Sequence, residues 1–138
     1  AVASEAAGFA TPGVKIGLFC STPMVAVARN VGGKRAMWML LTGEMIDART
    51  AEAWGLVNEV VPAGRLETAT RELARRVTAA SSHTVAIGKR AFYDQIERSE
   101  HDAYERMAEV MVESALTGDA QEGICAFLEK RSPEWSDR

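Results

Sequence analysis

The apolar residues Leu66, Ala69, Leu73, Val77 and Ala80 recur at spacings of three and four, the period of one face of an α-helix. Arg71, Glu72, Arg75 and Arg76 fall largely elsewhere on the wheel. A helix from Arg65 onward therefore has one dry face, which another element must cover. The same grammar continues downstream. The polar break "SSH" leads into a helix over residues 84–96. Ser99 and Asp102 form a Ser-x-x-Asp capping pattern ahead of Ala103, Met107, Val110, Met111 and Ser114. Gly118 is expected to stop that helix, and Asp119 with Glu122 to start a last one bearing Ile124, Phe127 and Leu128. The end, "KRSPEWSDR", reads as a polar tail. The last two thirds of the chain thus read as packed helices.

Glycine and proline cut the first third into shorter pieces. Thr22 followed by Pro23 predicts a capping hydroxyl and then the residue most at home in a first helical turn, with Met24, Val25, Val27, Ala28 and Val31 as the apolar face. Gly32 and Gly33 close that helix, and residues 34–42 form a second one stopped by Gly43. Asp47 caps "ARTAEAW", Gly55 ends it, and residues 56–62 are β-branched and alternating enough for a short strand closed by Pro62. The opening "AVASEAAGFATPG" begins on an apolar stretch, as if the chain were entered partway through a sheet. The run "FATPGVKIGLF", residues 9–19, sets Thr11, Pro12 and Gly13 between two apolar patches like the lip of a pocket, yet presents no acid, base or nucleophile.

Composition narrows the function classes. With 138 residues, 47% hydrophobic and 25% charged, the chain reads as an ordinary globular domain. Its 16 basic and 19 acidic residues are mixed along the sequence for a net charge of −3, so no surface is built to follow nucleic-acid phosphates. Cys20 and Cys125 give neither a disulfide framework nor a zinc spacing, and suit a reduced, cytoplasmic setting. No apolar run approaches the ~20 residues of a membrane span. The start also lacks the basic and apolar regions of a signal peptide, so no membrane association is expected. "GGK" at 32–34 lacks the spacing of a phosphate loop. His83 and His101 lie in polar surroundings and do not read as a metal centre. Cys20 has two readings, a nucleophile activated at a helix N-terminus or a small apolar filler; the frequency with which free cysteines are buried favours the filler.

The segments "FATPGVKIGLF" and "ARNVGGKRAMWMLLTGEMIDARTAEAWGLVNEVVP" resemble the second half of the enoyl-CoA hydratase/isomerase (crotonase) superfamily. Within them "LLTGEMIDARTAEAWGLVNEVV", with Leu41, Thr42, Gly43, Ala48, Ala51, Gly55, Leu56 and Val57, is similar to the family's most recognisable stretch. "GDAQEGICAFLEKR" is similar to its C-terminal signature. The resemblance covers essentially the whole chain but only about half of the family's usual domain.

It implies an α/β crotonase-like spiral fold of the ClpP/crotonase kind, represented here by a mainly α-helical segment with a few short strands. Residues 1–62 would belong to the spiral core and 63–138 to a helical trimerisation region. It implies acyl-CoA or enoyl-CoA as partner, a homotrimer or hexamer, and no cofactor beyond the coenzyme A thioester that serves as substrate. In the family two backbone N–H groups polarise the thioester carbonyl and stabilise an enolate. Both donors, and the first of two hydratase glutamates, lie in segments that would precede Ala1, so these residues alone are not expected to catalyse. The second glutamate commonly follows the proline of the turn similar to "FATPG", and here that position is Gly13, so no catalytic residue is carried over. General acid–base help of this kind is worth about 10²–10⁴ in rate. A second reading of Gly13 is a turn that needs positive φ after Pro12. Ala10, Thr11, Pro12, Gly13, Phe19, Cys20 and Met24 are the expected pocket residues. Phe127 and Lys130 match positions near the CoA adenine and phosphates, with a core phenylalanine and a solvated C-terminal lysine as the alternative. Two functions follow: an acyl-CoA enzyme of this family, or a catalytically impaired acyl-CoA-binding or oligomerisation protein. A helical adaptor unrelated to CoA survives only if the central match is chance.

Overall fold

The computed structural model describes residues 1–136. It divides into two compact units, one over Ala1–Glu72 and one starting at Leu73. The division between the units falls inside a helix.

The first unit is tied together by two small strand pairs. Strand β1 (Val2–Ser4) runs parallel to β4 (Glu59–Val61), with Ala3 opposite Val60. The Glu5 N–H continues the ladder by donating to the Val61 carbonyl at 2.8 Å, and the Asn58 N–H donates to the Ala1 carbonyl at 2.8 Å. Strand β2 (Gly8–Phe9) pairs antiparallel with β3 (Ile46–Asp47). The strand expected over 56–62 is thus the shorter 59–61. The apolar opening is itself a strand.

Three helices complete this unit: α1 (Ser21–Val31), α2 (Gly33–Thr42) and α3 (Ala48–Trp54). The start of α1 corrects the sequence reading: Cys20, not Thr22, occupies the N-cap, and no side chain caps the helix. Its expected apolar face is only partly used. Val31 is buried, Met24 and Val27 are half-buried, and Val25 and Ala28 are exposed. Asp47 caps α3 as its chemistry predicts, accepting from the Thr50 N–H at 2.7 Å. Hydrogen bonding from the Thr50 side chain, and then from its N–H, draws the Asp47 carboxyl below its ordinary pKa. The core gathers Ala3, Met39, Ile46, Ala48, Ala51, Val57 and Val60. Trp54 packs against it and meets Trp38 edge to face at 5.8 Å.

Gly43 ends α2 in the left-handed conformation, φ 59°, with its N–H donating to the Met39 carbonyl at 3.0 Å. A Cβ there would stand 3.2 Å from Pro12 Cα and 3.1 Å from Val14 Cγ1. The absence of a side chain lets the 3-10 turn Pro12–Ile16 press onto the end of α2.

Helix α4 (Leu66–Thr78) carries the division between the units. The second unit then holds α5 (Ser82–Gln95), α6 (Glu100–Ala115) and α7 (Gly118–Glu129). Ser99 caps α6 as expected, accepting from the Asp102 N–H at 3.2 Å. Three local readings are corrected. Ser81 caps α5, which starts at Ser82 rather than 84. Helix α6 ends at Ala115, so Gly118 does not stop it; Thr117 instead caps α7, accepting from the Ala120 N–H at 3.3 Å. Asp119 is therefore no cap. It is 1% exposed and accepts from the Ser136 N–H at 2.8 Å and the Ser136 hydroxyl at 2.9 Å.

The polar tail folds back as a clasp on α7, as far as the described residues reach; Asp137 and Arg138 lie outside them. The Trp135 indole N–H donates to the Ala79 carbonyl at 2.9 Å, and its ring lies against Gly123. Arg131 forks onto both oxygens of Glu122, and the Glu134 N–H donates to Glu122 Oε1 at 2.8 Å. Elsewhere in this unit, Asp94 on α5 receives both Arg98 and Arg106, and these hydrogen bonds hold its carboxyl below the ordinary value. No helix among the described residues is long and apolar enough to cross a membrane.

Two outcomes follow from the clasp. Asp119→Ala removes the buried acceptor of both Ser136 donors and is expected to cost the second unit about 1.5–3 kcal/mol, the worth of hydrogen bonds to a charged group, in urea unfolding followed by circular dichroism. The hydrogen bonds from Arg131, and then from Glu134, pull the Glu122 carboxyl from an ordinary 4.5 down to about 2. Its contribution is whole above pH 4.5 and is lost as pH falls toward about 2. Glu122→Gln should therefore flatten the fall of melting temperature across that acid window and leave the neutral side of the profile unchanged in slope.

Candidate functional site

The pocket-lip residues are brought together by a short run of backbone bonds. Pro12 opens the 3-10 turn, where its fixed φ is already suitable, and Gly17 reverses the chain with φ 78°. The Leu18 N–H donates back to the Gly13 carbonyl at 3.0 Å, and the Ser21 N–H donates to the Phe19 carbonyl at 2.7 Å. The Met24 N–H donates to the Cys20 carbonyl at 3.0 Å, joining the loop to the first turn of α1. Residues 13, 18, 19, 20 and 24 thereby form one connected structure.

Gly13 does not adopt the positive φ that a type II turn would need; the left-handed residue of this loop is Gly17. The requirement for glycine at 13 is steric. A Cβ built there would fall 2.7 Å from Cys20 Sγ and 2.8 Å from the Leu18 carbonyl oxygen. Gly13 also donates its N–H to Cys20 Sγ at 3.3 Å. Cys20 is accordingly a half-buried partner of this turn rather than an inert filler. Sequence reasoning missed the pairing because a contact seven residues apart across a reversal leaves no periodic trace.

Chemically the lip is sparse. Between Phe9 and Met24 the ionisable side chains are Lys15 and Cys20, with no carboxylate. Thr11 is 5% exposed, and its hydroxyl finds no hydrogen-bond partner among the described residues. Ala10 and Met24 are half-buried, and Phe19 is 43% exposed beside the freely exposed Leu18. The lip is apolar, with one buried hydroxyl.

Phe127 and Lys130 belong to the second unit. Phe127 is 81% exposed, which removes the core reading for it. Lys130 takes the left-handed cap of α7 at φ 56° and donates its N–H to the Phe127 carbonyl at 3.3 Å. Both histidines also belong to the second unit. The structure gathers His101, Asp102 and Glu105 on the first turns of α6, with potential ligand atoms within 4.8 Å of one another. His101 Nε2 is 3.5 Å from Glu105 Oε1. The signal available in the sequence was the i, i+4 spacing. All three are exposed, at a helix end whose dipole disfavours a cation.

The fold and the sequence agree with known proteins over the whole chain. The enoyl-CoA hydratase/isomerase family matches residues 1–138. A crystal structure of enoyl-CoA hydratase from Mycobacterium smegmatis superposes with TM-score 0.95 at 45% identity, covering 97% of this chain and 52% of the other. The crystal structure of human enoyl-CoA hydratase domain-containing protein 3 gives TM-score 0.94 at 47% identity, covering 97% of this chain and 53% of that one. Among curated sequences, the Xenopus laevis protein of the same name is 48% identical over 136 residues, 99% of this chain and 46% of the relative.

The architecture is thus a mainly helical portion of the crotonase fold. The chain belongs to the enoyl-CoA hydratase/isomerase family, and it spans about half the length of the curated relatives it matches. The expectation of a cytoplasmic setting is overturned: the Xenopus laevis and Homo sapiens relatives, each 48% identical, are both named mitochondrial. Scarcity of cysteine describes redox chemistry, and a reduced interior is not unique to one compartment.

The buried hydroxyl gives a direct test of the lip. Replacing it with a methyl removes an unsatisfied polar group, so Thr11→Val is expected to raise stability by about 1 kcal/mol in urea unfolding. A loss of stability would mean that the hydroxyl has a partner in solution.

Proposed function

We propose that this chain supplies one wall of an acyl-CoA thioester site in an enoyl-CoA hydratase/isomerase-family protein. Ala10, Thr11, Pro12, Gly13, Phe19, Cys20 and Met24 line the acyl side, and the thioester is the substrate rather than a held cofactor. The observation that carries this reading is the family match over residues 1–138, supported by the apolar lip built on Pro12 and Gly43. Catalysis in the whole protein rests on backbone N–H groups, supplied by other parts of the family's fold, that polarise the thioester carbonyl and hold the enolate. In the second unit, Phe127 and Lys130 offer an exposed aromatic face and a cation, groups suited to the adenine and 3′-phosphate of coenzyme A.

A second reading is favoured by the absence of a carboxylate from residues 9–24: a protein that binds acyl-CoA or assembles without hydrating it. The exposed Met111, Val112, Leu116 and Leu128 support assembly as a homotrimer or hexamer through the second unit.

Titration of crotonyl-CoA into the 138-residue chain, with hydration followed by loss of the conjugated-thioester absorbance, separates the readings. Binding without turnover is expected for the isolated chain; turnover would overturn the dependence on other parts of the fold, and no binding would sink the acyl-CoA reading. Lys130→Ala is expected to weaken coenzyme A binding about tenfold, the loss of one charge-assisted contact, and to leave binding of 3′-dephospho-coenzyme A unchanged.

A further inference from the structure

We propose that Cys20 sets which residue the lip can carry at position 13. With the Leu18 carbonyl, its sulfur fills the volume that any side chain at residue 13 would need, so the acyl-CoA site takes its proton-handling group from elsewhere. The meaning of this for catalysis rests on the proposed function. The packing on which it stands does not.

The two contacts a Cβ would make, 2.7 Å to Cys20 Sγ and 2.8 Å to the Leu18 oxygen, are both closer than real Cβ atoms approach. Both neighbours are bonded into the turn. The Leu18 N–H is bonded to the Gly13 carbonyl at 3.0 Å, so moving the Leu18 peptide breaks the turn. The Gly13 N–H is bonded to the sulfur itself at 3.3 Å. The Cys20 backbone is anchored in turn by the Met24 N–H at 3.0 Å, at the start of α1. Residue 13 is therefore clasped at both backbone polar groups by the segment that also occupies its side-chain direction. Placing an acid at position 13 requires more than a codon change there, because the thiol must go as well. Gly13 and Cys20 act as one unit, and the unit excludes a carboxylate from the lip.

The test is a double-mutant cycle on the 138-residue chain: the parent, Gly13→Ala, Cys20→Ala and the combination, with melting temperature read by circular dichroism. Gly13→Ala is expected to lower the melting temperature by several degrees in the parent. In the Cys20→Ala background the drop should be at least halved, though not abolished, because the Leu18 carbonyl remains. If Gly13→Ala is insoluble alone, recovery of soluble folded chain in the combination is the expected result. Equal drops in both backgrounds, no drop with Cys20 in place, or insolubility of both glycine variants would overturn the proposal. Crotonyl-CoA titration of the unmodified chain is run alongside: failure to bind there removes the proposed function, while the coupling between residues 13 and 20 is still read from the melting temperatures.

Discussion

The approach of Pro12 to Gly43 is the contact on which the rest of the first unit depends. At a Cα-to-Cβ separation of 3.2 Å for any side chain at residue 43, the end of α2 and the 3-10 turn share space that glycine alone leaves free at little cost. Because the left-handed exit at Gly43 also aims the chain into β3, the same residue sets the α2–β3 corner and the height of the lip. The core residues Met39 and Leu40, each 1% exposed, lie one turn before it. Burial of these side chains, worth roughly 1.5–3 kcal/mol each, holds the corner in place. The lip inherits its position from that packing.

Much of this arrangement was legible because it is local. Asp47 and Ser99 announce caps by side-chain chemistry that acts within three residues, and both do so. Of the face read from Leu66, Ala69, Leu73, Val77 and Ala80, Ala69 is buried and Leu66 and Leu73 are half-buried, while Val77 and Ala80 are exposed. What failed was non-local or competitive. Thr22 has a good capping side chain, yet the helix starts before it, where the loop through Cys20 delivers the chain. Thr117 and Asp119 are both plausible caps at the same helix start. The threonine takes the role, because the aspartate has a distant partner in Ser136 that no local rule reveals.

The candidate site shows the same division. Family resemblance pointed to the lip, and its residues 9–24 carry no carboxylate. The reason for glycine at 13 could not be read from the turn itself. Positive φ is the usual explanation, and here it belongs to Gly17. Periodicity also tells that Ile124, Phe127 and Leu128 share a face of α7, but not what covers it; in the structure all three remain exposed. A sequence records which surfaces are apolar, and only contacts between distant segments record which are spent.

The clasp at the end of α7 has a practical consequence. Trp38 and Trp54 meet edge to face in the first unit, whereas Trp135 is pinned to the Ala79 carbonyl in the second. The chain's three tryptophans are therefore partitioned as optical reporters, an edge-to-face pair for one unit and a single hydrogen-bonded indole for the other. Intrinsic emission can then follow the melting of each unit separately, with no label attached, once Trp135 is replaced by phenylalanine in a companion sample.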